Sequence, residues 1–346
     1  MVGPSRKVNG GMTTVVNNYF KSDLKNKIDL KYISTTIDVN ILIKLLYNFI
    51  SYIKIIICLI ISKVDIVHIH MASRGSFYRK SIIVKLSKLF NKKVIIHLHG
   101  AEFEAFYESE SNDKAKKYIR SIFEQADKVI VLSSKWREIL DKWFQCNIEI
   151  LNNAIFLNPE NIYNTNSNNI VMLGRLEERK GTYDLLNVVK PITNQFNNIK
   201  FLLAGDGDLQ KLKLKIKSLG IEEDVNVLGW INEKERDEIL RNSLIYVLPS
   251  YNEGMPMSVL EAMSYGVPTI STTVGGIPDI IDSNVNGYLI NPGNVKDLEE
   301  KIKLLINNKD LREKISINGY IKIRDKFNME KQVQKLLIMY KELQSI

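Results

Sequence analysis

VDIVHIHMASRGSFYRKSIIVKLSKLFNKKVIIHLHG, residues 64–100, decides how this chain folds. It opens and closes with a nearly continuous run of β-branched and apolar residues, VDIVHIH (64–70) and KVIIHLH (93–99). Such runs read as strands covered on both faces, the mark of a parallel sheet. The helix-length segment between them is the crossover that a parallel pair requires. Outward from this unit the pattern repeats. DKVIVLS (127–133) and NIEIL (147–151) complete a first series, and KIDLKYIS (27–34) looks like a neighbouring strand of VDIVHIH. NIVMLG (169–174), IKFLLAG (199–205), DVNVLG (224–229), LIYVLP (244–249), VPTIS (267–271) and GYLI (287–290) make a second. An Asn-rich, turn-forming stretch, FLNPENIYNTNSN (156–168), separates the two series. The expected fold is α/β, with two Rossmann-like doubly wound domains facing across a cleft. Residues 1–160 form the first and 161–325 the second, and a helix over 326–346 packs back towards the first. Ligands of such sheets bind beyond the carboxyl ends of the strands, so the loops after each run are where chemistry is expected.

Composition bounds the class. At 346 residues the chain exceeds what one ordinary core serves, and 45% hydrophobic with 25% charged residues excludes a disordered chain or a disulfide scaffold. Cys58 and Cys146 sit among apolar neighbours, which fits a reduced, cytoplasmic setting. The opening MVGPSRKVNGG has no apolar core of a signal peptide. Charge is unevenly spread: residues 1–100 hold 16 Lys/Arg against 4 Asp/Glu, whereas residues 161–346 hold 24 of each. A basic first half suggests an anionic partner there: a membrane, a phosphate-bearing lipid or nucleic acid. Basic residues cluster at Arg74, Arg79, Lys80, Lys85, Lys88, Lys92 and Lys93. The segment ILIKLLYNFISYIKIIICLII (41–61) is nearly long enough to span a bilayer. Lys44, Asn48, Ser51 and Lys54 recur at helical spacing as one polar stripe beside a wide apolar face, so a packed or interfacial helix is expected rather than a span.

Several loops carry chemistry. The four histidines fall in two pairs, His68/His70 and His97/His99, each pair on one sheet face. No acidic or thiol ligand accompanies them, so no metal centre is expected. His99, followed by Gly100 at a strand exit, is the functional choice among the four. GRLEERKGT (174–182) offers Arg175 and Lys180, a fork and a point charge suited to phosphate oxygens. In AGDGDL (204–209), Asp206 and Asp208 stand where an aspartate caps a helix. KVNGGMTT (7–14) sets Gly10 and Gly11 before a helix whose N-terminus favours an anion. PSYNEGMPMSVLEA (249–262) places Glu253 in a Gly/Pro turn and Glu261 beyond it, with seven residues between.

Taken together, NGGM (9–12), HLHG (97–100), GRLEERKG (174–181), AGDG (204–207), Glu253 to Glu261, YGVPTIST (265–272), GGIPD (275–279) and NGYLI (286–290) resemble the retaining glycosyltransferases of family four. The motifs stand in the family's order over nearly the whole chain. The resemblance implies the GT-B architecture and a bacterial polysaccharide-type enzyme without cofactor or metal. It gives Arg175 and Lys180 the nucleotide diphosphate and Glu261 the ribose hydroxyls. Glu253 would bind donor-sugar hydroxyls, helped by the backbone N–H groups of Gly254, Met255, Pro256 and Met257 as far as each has one. His99 would contact the donor sugar, and Gly10 and Gly11 would lie beside the diphosphate. Family frequency favours a UDP-sugar donor. The expected acceptor is a glycan or polyprenyl-diphosphate-linked glycan, reached by a cytoplasmic protein held peripherally at the anionic inner face of the cell membrane. No nucleic-acid partner is expected.

Two departures stand out. Only Met1 and Val2 precede the Gly3-Pro4 turn where the family has its first strand, so a truncated chain or a misassigned start is expected. NNA (152–154) replaces the family's frequent Pro-Asn-Gly. Two other readings remain at this point: a non-hydrolysing sugar-nucleotide epimerase, and a basic membrane- or nucleic-acid-binding module.

Overall fold

In a computed structural model, which describes residues 1–345, the apolar runs build two six-stranded sheets. The chain divides into two compact units: Met1–Phe156 with the chain from Met329 onward, and Leu157–Asn328.

The first unit contains β1 (Val2–Gly3), β2 (Ile33–Ser34), β3 (Ile66–Met71), β4 (Lys93–Leu98), β5 (Lys128–Val131) and β6 (Ile148–Ile150), all parallel, in the order β2-β1-β3-β4-β5-β6. KIDLKYIS and VDIVHIH thus share one sheet, with the two-residue β1 between them; Val2 pairs with both Ile33 and Ile69. Alternation sorts the side chains by face. Val67, Ile69, Met71, Val94, Ile96 and Leu98 enter an apolar core with Phe77, Phe103, Phe106 and Phe123. His68, His70 and His97 point to the opposite face, where His70 is in register with His97. The helix Met329–Gln344 returns the chain to this unit and covers β3. Side-chain caps start the flanking helices, for instance Asn112 for Asp113–Glu124 and Ser133 for Ser134–Trp143.

The helix Ile41–Ile61 is the one described helix long and apolar enough to cross a membrane. Its orientation reverses the intuitive assignment of faces. Asn48 and Ser51, the middle of the polar stripe, are buried with Ile55 and Leu59, and Ser51 donates to the Ser34 carbonyl at 2.8 Å. Leu42, Leu45, Leu46, Phe49, Ile53 and Ile60 face outward. The basic cluster is also less free than its sequence suggests. Lys80 is buried; Arg74 is paired with Glu102 and Glu110, and Lys88 with Asp127.

The second unit contains β7 (Asn169–Leu173), β8 (Lys200–Ala204), β9 (Val225–Gly229), β10 (Ile245–Leu248), β11 (Thr269–Thr272) and β12 (Tyr288–Ile290), again all parallel, in the order β12-β11-β10-β7-β8-β9. The strand order reverses between β7 and β10. In an open parallel sheet this switch point, at the carboxyl ends, is where a ligand fits.

Candidate active site

The loops leaving β7 and β10 flank the switch point of the second unit and are stitched together. After β7 a short 3-10 turn, Glu178–Lys180, ends at Gly181 with φ +72°. A Cβ on Gly181 would lie 2.0 Å from the Pro249 carbonyl oxygen, so glycine lets the turn press on the exit of β10. Tyr251 N–H donates to Arg179 O at 2.8 Å, and the Arg179 guanidinium donates to Asn252 O at 3.0 Å. These ties bring Lys180 against Glu253, Nζ to Oε1 at 2.5 Å, and Ser250 donates to the same oxygen at 2.8 Å. Both charged side chains are largely covered, 16% and 7% exposed. Gly275, at φ +56°, supports the turn from behind, where a Cβ would strike Glu253 O. Gly276 N–H donates to Gly254 O at 2.6 Å.

Gly254, Met255 and Pro256 are buried and lead into the helix Met257–Ser264, whose first residue is also buried. Glu261 lies on that helix and pairs with Arg236 at 2.9 Å, separately from Glu253. Burial pushes the Glu261 carboxyl up to about 7, and the opposing pull of Arg236 does not cancel it. Arg175 does not join Lys180. Its side chain is 60% exposed and pairs with Glu177 at 3.0 Å. Asp208 caps the helix Leu209–Leu219 by accepting from Lys211 N–H at 3.0 Å, and Asp206 O accepts from Leu176 N–H. The GRL and AGDG segments are thereby laced together, and the aspartates act as turn residues.

In the first unit, Gly10 adopts φ +144° as the N-cap of the helix Gly11–Lys21, and a Cβ on either Gly10 or Gly11 would meet only open space. His99, just past β4, is half-buried, and its Nε2 lies 2.8 Å from His70 Nδ1. His68 bonds Tyr340 at 2.6 Å and His97 at 3.1 Å. Ligand atoms of His68, His70 and His97 lie within 4.8 Å of one another, the one such group among the described residues. Burial lowers the pKa of all four imidazoles, His97 to about 3, so each ring is neutral at physiological pH.

Sequence reasoning missed Arg236, Ser250, Arg179 and Tyr340. Arg236 was hidden in the charge run EKERDE, which reads as a solvated face, and Tyr340 lies 272 residues from its partner His68.

Comparison with known proteins agrees with this architecture. Residues 156–322 match the model of the glycosyl transferases group 1, and residues 28–158 that of glycosyltransferase family 4. An uncharacterized glycosyltransferase of Methanocaldococcus jannaschii is 30% identical over 284 residues, 81% of this chain and 76% of that protein. The Escherichia coli UDP-Gal:alpha-D-GlcNAc-diphosphoundecaprenol alpha-1,3-galactosyltransferase is 27% identical over 309 residues, 80% of this chain and 75% of that one. Sucrose-phosphate synthase from Thermosynechococcus elongatus superposes with a TM-score of 0.79 at 17% identity, covering 99% of this chain and 95% of that one. The chain belongs to glycosyltransferase family 4, with the GT-B fold, and is a glycosyltransferase.

Proposed function

We propose that the protein is a retaining hexosyltransferase that moves a sugar from a UDP-sugar to a glycan or polyprenyl-diphosphate-linked glycan in surface polysaccharide synthesis. The observation that carries this reading is the covered Lys180–Glu253–Ser250 group at the switch point of the second sheet. The similarity to the galactosyltransferase, whose name specifies both a UDP-sugar and a diphosphoundecaprenol acceptor, supports the choice of substrates. In this reading Lys180 and Arg175 hold the diphosphate, Glu261 accepts from the ribose hydroxyls, and Glu253 accepts from donor-sugar hydroxyls. The turn Gly254–Met257 adds backbone donors, His99 contacts the sugar, and Gly10 and Gly11 admit the diphosphate closely.

As the bond to the leaving phosphate lengthens, positive charge grows at the anomeric carbon and negative charge on the phosphate oxygen. An ammonium held in place before the reaction stabilises that oxygen without reorganising. Lys180 meets this requirement because Glu253 anchors it. The acceptor hydroxyl then attacks from the face the phosphate leaves. Its oxygen bonds the anomeric carbon, the carbon–phosphate-oxygen bond breaks, and the hydroxyl proton passes to the departing phosphate. No protein nucleophile is needed.

The protein is further proposed to work as a peripheral protein at the inner face of the cell membrane. The outward apolar face of Ile41–Ile61 supports this, together with Lys54 on its exposed side. A broad apolar face with a flanking cation suits an anionic bilayer interface. A thermal-shift screen of nucleotide sugars tests the donor assignment. A UDP-sugar at 100 times its Kd adds about 2.7 kcal/mol, roughly 5 to 10 °C in Tm. Stabilisation by GDP-mannose but not by UDP-sugars would overturn the UDP assignment; silence of every nucleotide sugar would overturn the transferase reading of the site.

A further inference from the structure

The four histidines form two short rows on one face of the first sheet, and hydrogen-bond accounting fixes which nitrogens carry protons. Tyr340 is buried, its phenol stays protonated, and its only hydrogen bond among the described residues is to His68 Nδ1 at 2.6 Å. The hydroxyl therefore donates, since otherwise its proton would be buried without an acceptor. His68 then carries its proton on Nε2 and donates to His97 Nδ1 at 3.1 Å. That places the His97 proton on Nε2, a buried atom without a partner.

The second row is His70 Nδ1 against His99 Nε2 at 2.8 Å, and His70 Nε2 is likewise buried without a partner. Two arrangements satisfy this bond. If His99 donates, His70 keeps its proton on Nε2, and the cluster holds two buried N–H groups with no acceptor. If His70 donates, His70 Nε2 is only an unfilled acceptor, and one orphan N–H remains. Buried unpaired N–H groups are the rarer and costlier defect, so His70 is the donor. His99 then carries its proton on Nδ1. Among the described residues nothing hydrogen-bonds that atom, and the residue is half-buried rather than sealed in the core.

A divalent cation fits this cluster poorly. Both ring nitrogens of His68 and Nδ1 of His97 are already engaged in hydrogen bonds, and the buried Lys80 amine acts on His70 and His99.

We infer that His70 is a positioning residue that holds His99 as the Nδ1–H tautomer, so that His99 offers the donor sugar a neutral hydrogen-bond donor. The inference rests on the proposed role of His99 as a donor-sugar contact. His70 touches no substrate; it acts through His99, and the buried, unpartnered Nε2 of its own ring decides the direction of its bond.

The test uses the full chain labelled with 15N-histidine. Long-range 1H–15N correlations report which nitrogen of each ring is protonated, and the signals missing from His99→Gln identify His99. In the wild type His99 is expected as a single Nδ1–H tautomer. His70→Phe keeps a ring but removes the donor, and should release His99 into a tautomer mixture and lower kcat/KM for the nucleotide sugar roughly five- to tenfold, leaving UDP affinity unchanged. His70→Asn places an amide N–H near the lost donor and should restore most of the activity. A wild-type His99 protonated on Nε2 would overturn the inference, even if the variants fail to fold. So would equal activity losses in the Phe and Asn variants. Undiminished activity of His99→Gln would instead overturn the donor-sugar role on which the inference rests.

Discussion

Replacing Lys180 with methionine tests whether Lys180 and Glu253 act as a unit. The two meet at 2.5 Å with 16% and 7% of their side chains exposed, and Ser250 adds one neutral donor. Lys180→Met leaves a covered carboxylate with only that hydroxyl. Breaking a buried pair on one side costs about 3–5 kcal/mol. Glu253→Gln keeps an oxygen for both Lys180 and Ser250, and Lys180 retains some access to water, so its cost is about 1–3 kcal/mol. The double variant carries neither charge and should be less destabilised than the sum of the singles, with a coupling of about 1–3 kcal/mol. Urea unfolding of the ligand-free protein, with Trp230 as the second unit's reporter, measures all four corners of the cycle. In turnover, Lys180→Met should lower kcat roughly 10²- to 10³-fold, because it also removes the cation at the leaving phosphate. Stability changes that add to within about 0.5 kcal/mol would refute the pairing argument, whatever the kinetics.

Glu261→Gln should weaken free UDP about 10- to 150-fold, whereas Glu253→Gln should spare UDP and impair only the intact sugar donor; equal effects on UDP affinity would contradict the division of roles. Because burial raises the Glu261 carboxyl to about 7, it gains its proton as pH falls from 8 to 6, and the ribose loses a charged acceptor. UDP affinity measured by calorimetry should therefore fall over that range in the wild type more steeply than in Glu261→Gln. The same shift makes the folded state the stronger proton binder between the ordinary carboxyl range and about 7, so this group's contribution to stability falls as pH rises through that window. Chelation with EDTA should leave activity within a factor of a few, since Lys180 and Arg175 are proposed to supply the countercharge; manganese-dependent recovery would bring Asp206 and Asp208 back as ligands. Liposome co-sedimentation should require anionic lipid, weaken with salt, and fall when Leu46, Phe49 and Ile53 become serine; a protein that stays in the supernatant at low salt contradicts the membrane proposal.

The sheets were legible because their central strands are buried on both faces. Strands such as VIIHL and IYVL are short, nearly continuous apolar runs rich in β-branched residues, and the turn residues that bound them mark them as strands. The loops at the switch point were legible by residue type, since a Gly/Pro turn with a carboxylate and a Gly-Thr turn with a lysine are local signals. Their contact was not. It depends on Gly181 pressing on Pro249, which joins positions 68 residues apart. Arg236 was invisible for the opposite reason: a surface-like charge run turned one side chain inward to meet Glu261. The stripe on Ile41–Ile61 was found correctly by periodicity, but periodicity does not say which face is covered. There Ser51 is satisfied by a carbonyl and Asn48 is buried, which turns the apolar side outward.

The proposed reaction is retaining transfer from a nucleoside-diphosphate sugar. It is tested most directly by 1H NMR of the first product formed from an α-configured UDP-hexose and a polyprenyl-diphosphate-linked glycan, with UDP release followed in the same tube. An α linkage on the acceptor and one equivalent of UDP per bond formed are expected. A β linkage, or an epimerised nucleotide sugar with no sugar on the acceptor, would contradict it.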